Sequence, residues 1–180
     1  MSYTTPPTVA PATTATAAEF NILGDDIIDL DARAKQTAFK GVSLLRSSAQ
    51  SVADNTLTSI SWASASLDVG GWWSSGTNIV VPAGAIPAGY TTIYVEVMGQ
   101  ARAASNGTGT RSITFLLNGG TIEIGRSTSA LTGDTTTLDH TVWAEVAAAD
   151  VIVMQVKQNS GGALNFDYLT LKVKRLGPAN

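Results

Sequence analysis

The chain has no cysteine, a single histidine and a charged fraction of only 14% across its 180 residues. Each scarcity removes a class of function. Without cysteine there is no disulfide framework, no thiolate nucleophile and no Cys-ligated zinc. Any Ser-His-Asp site would have to use His140, and no nucleophile-elbow sequence accompanies it. His140 shares one side of an alternating segment with Leu138 and Val142, the position of a structural histidine. Charge far below the roughly 25% of globular proteins implies a surface of Ser, Thr, Asn, Gln and Gly. The net charge is −3 and the basic residues are scattered, so the footprint of a nucleic-acid binder is missing. Lys172, Lys174 and Arg175 come nearest, but Lys172 and Lys174 alternate with Leu171 and Val173 as the wet face of a strand does. The longest apolar run, Val146 to Met154, is interrupted by Asp150 and falls well short of the ~20 residues that cross a bilayer. The opening MSYTTPPTVAPATTATA has no positive charge ahead of an apolar core, so it does not read as a secretory signal. Gly107-Thr108-Gly109 lacks the strand-to-helix setting of a phosphate loop, and the few acids of the second half form no suggestive pair for glycoside hydrolysis. No enzyme, no cofactor and no membrane insertion are expected.

What is present changes character near residue 40. Residues 1–15 place Pro6, Pro7 and Pro11 among Thr and Ala; proline fixes φ and removes a donor, so this arm is expected to be extended and without a core. It is either a free tail or a segment laid on a partner. Residues 16–40 open with Thr16-Ala17-Ala18-Glu19, a capping box in which hydroxyl and carboxylate satisfy each other's backbone amides. Phe20, Leu23, Ile27, Leu30 and Ala34 then fall at the 3, 4, 3, 4 spacing of a coiled-coil seam. Two heptads hold an oligomer weakly, and Gly24 costs the helix about 1 kcal/mol. The stripe suits self-association or packing within one chain, and Ile27 followed by Leu30 leans towards two strands. Asp25, Asp26, Asp29 and Asp31 lack the Gly turn and Glu of a calcium loop and read as a solvated helix face.

From residue 41 to 180 strand signals accumulate. Strands are expected at 42–46, 56–62, 78–81, 90–101, 111–117, 121–126, 135–146, 151–157 and 163–176. Alternation is plain in Ile93-Tyr94-Val95-Glu96-Val97. Asn118-Gly119-Gly120 reads as a tight hairpin connection, and Asn106-Gly107 and Gly161-Gly162 as further turns. The fold class that follows is mainly β, an antiparallel jelly-roll sandwich preceded by an extended arm and one short amphipathic helix. Trp72 and Trp73, in a glycine-rich loop, are the candidates for recognition, since an exposed tryptophan could stack on a sugar ring or fill a neighbour's pocket. Adjacent side chains point oppositely, so one can fill the core while the other faces out, or both can be buried.

Two resemblances follow from these residues. Tyr3-Thr4-Thr5-Pro6-Pro7-Thr8 and then Thr16-Ala17-Ala18-Glu19-Phe20-Asn21 resemble the opening of tailed-bacteriophage virion proteins. Ile60-Ser61-Trp62, Asp68-Val69-Gly70-Gly71-Trp72, Val81-Pro82-Ala83-Gly84, Gly109-Thr110-Arg111 and Val156-Lys157-Gln158-Asn159 resemble, in order, the jelly-roll head of the complement and tumour-necrosis-factor superfamily in its phage version. Ala149-Asp150 departs from the Gly-Asp that the family carries at that turn, and Pro82 to Pro87 is longer. The resemblance implies a ten-strand jelly roll that forms a homotrimer through apolar sheet faces, with the helix on the threefold axis. It also implies a virion protein assembled in the host cytoplasm and anchored to other virion proteins through Tyr3, Pro6 and Pro7. A tail appendage touching a host-surface glycan or protein, with Trp72 and Trp73 in contact, is the expected placement; a capsid-decoration protein is the alternative, and a glycan depolymerase is least expected.

Overall fold

The computed structural model describes residues 40–119, 122–130 and 135–179; the arm, the helix, Tyr3, Pro6, Pro7 and the stripe Phe20, Leu23, Ile27, Leu30 and Ala34 lie outside them. Eleven strands run through the described residues, one more than the resemblance implies. They are β1 (Gly41–Arg46), β2 (Gln50–Val52), β3 (Thr58–Ser59), β4 (Ser64–Val69), β5 (Asn78–Val80), β6 (Thr92–Ala103), β7 (Thr110–Leu117), β8 (Ile122–Ala130), β9 (Thr136–Ala147), β10 (Val151–Gln158) and β11 (Leu164–Pro178). The larger sheet has the order β4-β1-β11-β6-β9, with β2 also on β11; the smaller has β3-β10-β7-β8, with β5 also on β10. Every pairing is antiparallel. The architecture is a two-sheet β-sandwich of jelly-roll type, as the strand pattern predicts.

Period-2 alternation builds the core between the sheets. On β6, Ile93, Val95 and Val97 are fully buried while Tyr94 is exposed and Glu96 half-exposed. On β11, Leu169, Leu171 and Val173 are buried and Lys172 and Lys174 are exposed, so the basic residues of this strand are its wet face. Phe115 and Ile113 of β7 meet them from the other sheet. Gly99 is the one gap in the inward row of β6, because a Cβ there would lie 2.7 Å from the Phe115 ring.

Three elements differ from the sequence reading, the first being β2 (Gln50–Val52), which pairs with β11 where no strand is expected. Residues 56–62 keep only the two-residue β3, because Trp62 turns away to bond the carbonyl of Gly76 at 3.1 Å and buries its ring. β4 arises where no strand is expected: Ser64–Val69 is almost wholly exposed and forms by pairing with β1 rather than by burying a face. The turn at Ala149-Asp150 keeps its shape without the expected glycine. Ala149 sits at φ +68, its amide bonds the Val81 carbonyl at 2.9 Å, and Asp150 Oδ2 accepts the Ala147 amide at 2.8 Å.

Candidate interaction surface

The loop after β4 disposes of the two adjacent tryptophans. Gly70 and Gly71 take φ +113 and +73, turning the chain back over β4. Asp68 then accepts both following amides, Trp72 N–H at 2.9 Å and Trp73 N–H at 3.1 Å. This carboxylate fixes the loop with Trp72 in the core, 1% exposed, and Trp73 half-buried against it, its Nε1 donating to the Gly76 carbonyl at 3.3 Å. Trp72 is therefore withdrawn from any recognition surface: a ring of this size gains more by burial than the loop loses by turning. His140 is inward too, stacked on Phe115 with ring centroids 5.4 Å apart, which is the structural placement its alternation implies.

The exposed aromatic is a different one. Trp143 of β9 is 71% exposed, and its Nε1 donates to Glu96 across the strand pair at 3.3 Å. It stands on the outer face of the larger sheet with Tyr94 and Leu176. Gly177 lies opposite Tyr94 after a bulge in β11, and the missing side chain leaves an apolar hollow of about 370 Å³ among these four residues. Thr92 Oγ1 donating to Glu145 at 2.7 Å, and Gln100 donating to Asp139 at 2.8 Å, give the face a polar margin. Towards β4 lies a second hollow of about 340 Å³, between Leu67, Met98 and the small side chain of Ser43. Arg102 pairs with Asp167 at 2.8 Å, and that hydrogen bond and charge raise its pKa.

The alternation of β9 held the signal for Trp143. If His140 shares a side with Leu138 and Val142, then Trp143 shares the other with Asp139 and Thr141, and a tryptophan on the wet side needs a reason.

Nothing in this surface resembles a reaction centre. Among the described residues no group of three or more His, Asp or Glu could hold a metal ion, and no helix is long and apolar enough to cross a membrane. The most buried charge, Arg111, is committed to structure: Nη1 donates to the carbonyls of Thr108 at 2.8 Å and Thr110 at 3.3 Å, and Nη2 to that of Asn106 at 3.2 Å. Burial lowers its pKa.

Strand order and sandwich define a fold, the antiparallel two-sheet jelly roll. Murine APRIL overlays with a TM-score of 0.56 at 15% identity, over 77% of this chain and 99% of that one. The Eiger TNF of S. frugiperda gives 0.55 at 12%, over 79% and 95%, and the globular domain of zebrafish complement 1qA gives 0.51 at 8%, over 78% and 99%. At such identities the likeness is one of fold. No protein-family model matches the chain, and no curated protein matches its sequence.

Proposed function

We propose that the chain is a non-enzymatic structural protein of a bacteriophage virion, held by its N-terminal arm, with the jelly roll assembled as a trimer and displayed on the shell as a capsid-decoration protein. The observation that carries this reading is the bare apolar cluster of Tyr94, Trp143 and Leu176 on a sheet face. Aromatic and aliphatic side chains left bare towards the β9 edge of a face, beside a polar margin, are what a second copy covers. The arm, with its resemblance to virion proteins through Tyr3, Pro6 and Pro7, supplies the attachment, and the stripe from Phe20 to Ala34 a second contact between copies.

Decoration is favoured over a tail tip by Trp72. The tail reading assigns host contact to Trp72 and Trp73, and one of the two rings is in the core while the other is half-buried and hydrogen-bonded. The test is electron microscopy of intact particles labelled with a gold-conjugated antibody against residues 42–180. Gold over the head supports decoration; gold along the tail or at its tip overturns it in favour of a host-contact role. Deleting residues 1–15 should leave a folded β-domain that no longer joins the particle, and incorporation of the truncated form would refute the anchor. Trp143→Ser should lower the mass in solution, and an unchanged mass would remove this face from the assembly.

A further inference from the structure

We infer that the outer face of the smaller sheet carries a binding site for an acidic saccharide, a polyhydroxyl ring bearing one anionic group. The site is a hollow of about 190 Å³ lined by Thr110, Ser112, Arg126, Thr128, Lys157 and Asn159, with the backbone of Gln158 beside them. It is smaller than the roughly 300–1,000 Å³ of sites for drug-sized ligands, so it suits one small unit of a chain.

Strand register builds it. On central β7, Ser112 lies directly between Thr128 of β8 and Lys157 of β10, and Thr114 lies beside Arg126. Alternation sends Ile113 and Phe115 into the core, so Ser112 and Thr114 turn to the opposite, outer face. The result is a hydroxyl row with one cation on each flank. At its end Asn159 Oδ1 accepts both the amide and the hydroxyl of Thr110. An N–H donor fixes that atom as the oxygen, which leaves the two N–H donors of the Asn159 amide unspent.

The inventory is rich in donors. Among the described residues, none is hydrogen-bonded to the Lys157 ammonium or to the hydroxyls of Ser112 and Thr128. Arg126 spends one nitrogen on Glu123 at 2.7 Å and keeps its other N–H groups. No residue lining the hollow is acidic. Next along the row, the Thr114 hydroxyl is buried, the residue 1% exposed, with no partner among the described residues. Two cations across a strip of hydroxyls and an amide match a ligand with one anionic group and several ring hydroxyls. A bare inorganic anion would leave the hydroxyl row unused, and an apolar ligand would leave every donor unpaired. The inference does not depend on where the particle carries the protein.

The test uses the full chain and four probes: a polyuronate, a sulfated polysaccharide, neutral dextran and inorganic sulfate, each titrated by calorimetry in 150 mM salt. The chain carries net charge −3, so a polyanion is repelled by the molecule as a whole and retention has to come from a local patch. At least one acidic polysaccharide should bind and dextran should not. Lys157→Gln should weaken binding about tenfold, and Ser112→Ala with Thr128→Val about as much. Lys174→Gln, the same charge change on the larger sheet, should leave it unaltered, and circular dichroism confirms that each variant is folded. Failure of both acidic polysaccharides to bind overturns the proposal. So does binding that survives Lys157→Gln, or an equal loss with Lys174→Gln. Binding of sulfate as tight as that of the polysaccharide, indifferent to the hydroxyl variants, would show an anion site without sugar recognition and overturn it as well.

Discussion

Replacing Trp72 and Trp73 one at a time measures which way the loop after β4 faces. Trp72 is 1% exposed and packs in the core cluster, whereas Trp73 only leans on it. Truncating a fully buried tryptophan to alanine costs about 3–5 kcal/mol, from lost transfer energy and from the cavity that remains. For a domain of this size about 3 °C of melting temperature goes with each kcal/mol, so Trp72→Ala should melt roughly 10–15 °C lower. Trp73→Ala removes a ring that keeps part of its water and one exposed hydrogen bond, and should cost about 1–2 kcal/mol. Trp72→Phe separates the ring from its N–H. Trp72 Nε1 is buried without a partner, and such a group costs about 1–3 kcal/mol. Phenylalanine sheds that penalty while losing some packing, so the net change should stay within about 1 kcal/mol. The assay is thermal and guanidinium unfolding followed by circular dichroism, a signal that does not depend on the tryptophan removed. Equal losses for Trp72→Ala and Trp73→Ala, or the reverse order, would refute the inward and outward assignment.

Four further outcomes are expected. Ala149→Gly should stabilise the fold by about 0.5–1 kcal/mol, because alanine at φ +68 pays a left-handed penalty of about 1–2 kcal/mol that exceeds glycine's extra chain entropy; a lower denaturation midpoint would contradict this. Gly99→Ala should destabilise by about 1–3 kcal/mol, since its Cβ meets Phe115 at 2.7 Å and Ile113 at 3.1 Å, and an unchanged midpoint would mean that the two sheets part freely there. Arg111→Lys should cost about 2 kcal/mol in chemical denaturation, as the buried charge stays while the fork that reaches three carbonyls is lost; wild-type stability would show those bonds to be idle. Ile27→Asp should lower the mass in solution if the stripe is a seam between copies, and sedimentation at the wild-type mass would count against it.

The strands most legible in the sequence are those whose two sides differ in solvent. β6 and β11 announce themselves because burial on one face and water on the other enforce alternation. β4 is silent for the same reason. With both faces near water, Ser-Ala-Ser-Leu-Asp-Val carries no period, and only the free edge of β1 makes it a strand. The tryptophan pair was legible as a contrast but not in its direction, which depends on Asp68 catching two amides four and five residues on. The hollow on the smaller sheet was invisible in sequence because Ser112, Thr128 and Lys157 come from three strands, and register alone unites them.

The place of β11 has a consequence for how the protein is made. The first strand of the domain, β1, pairs along its whole length with the last, β11, and β11 also joins β1 to β6. Until residues 164–178 leave the ribosome, the larger sheet can exist only as two separate halves, β4 with β1 and β6 with β9. Each half ends in an unpaired apolar strand, through Leu44 on one and Val97 on the other. The β7–β8 hairpin and its neighbour β10 can assemble earlier from closer partners, so the smaller sheet waits for the larger. Synthesis therefore carries an exposed, sticky intermediate to its last strand, and a chain stopped before Leu164 is a template for aggregation rather than a smaller domain.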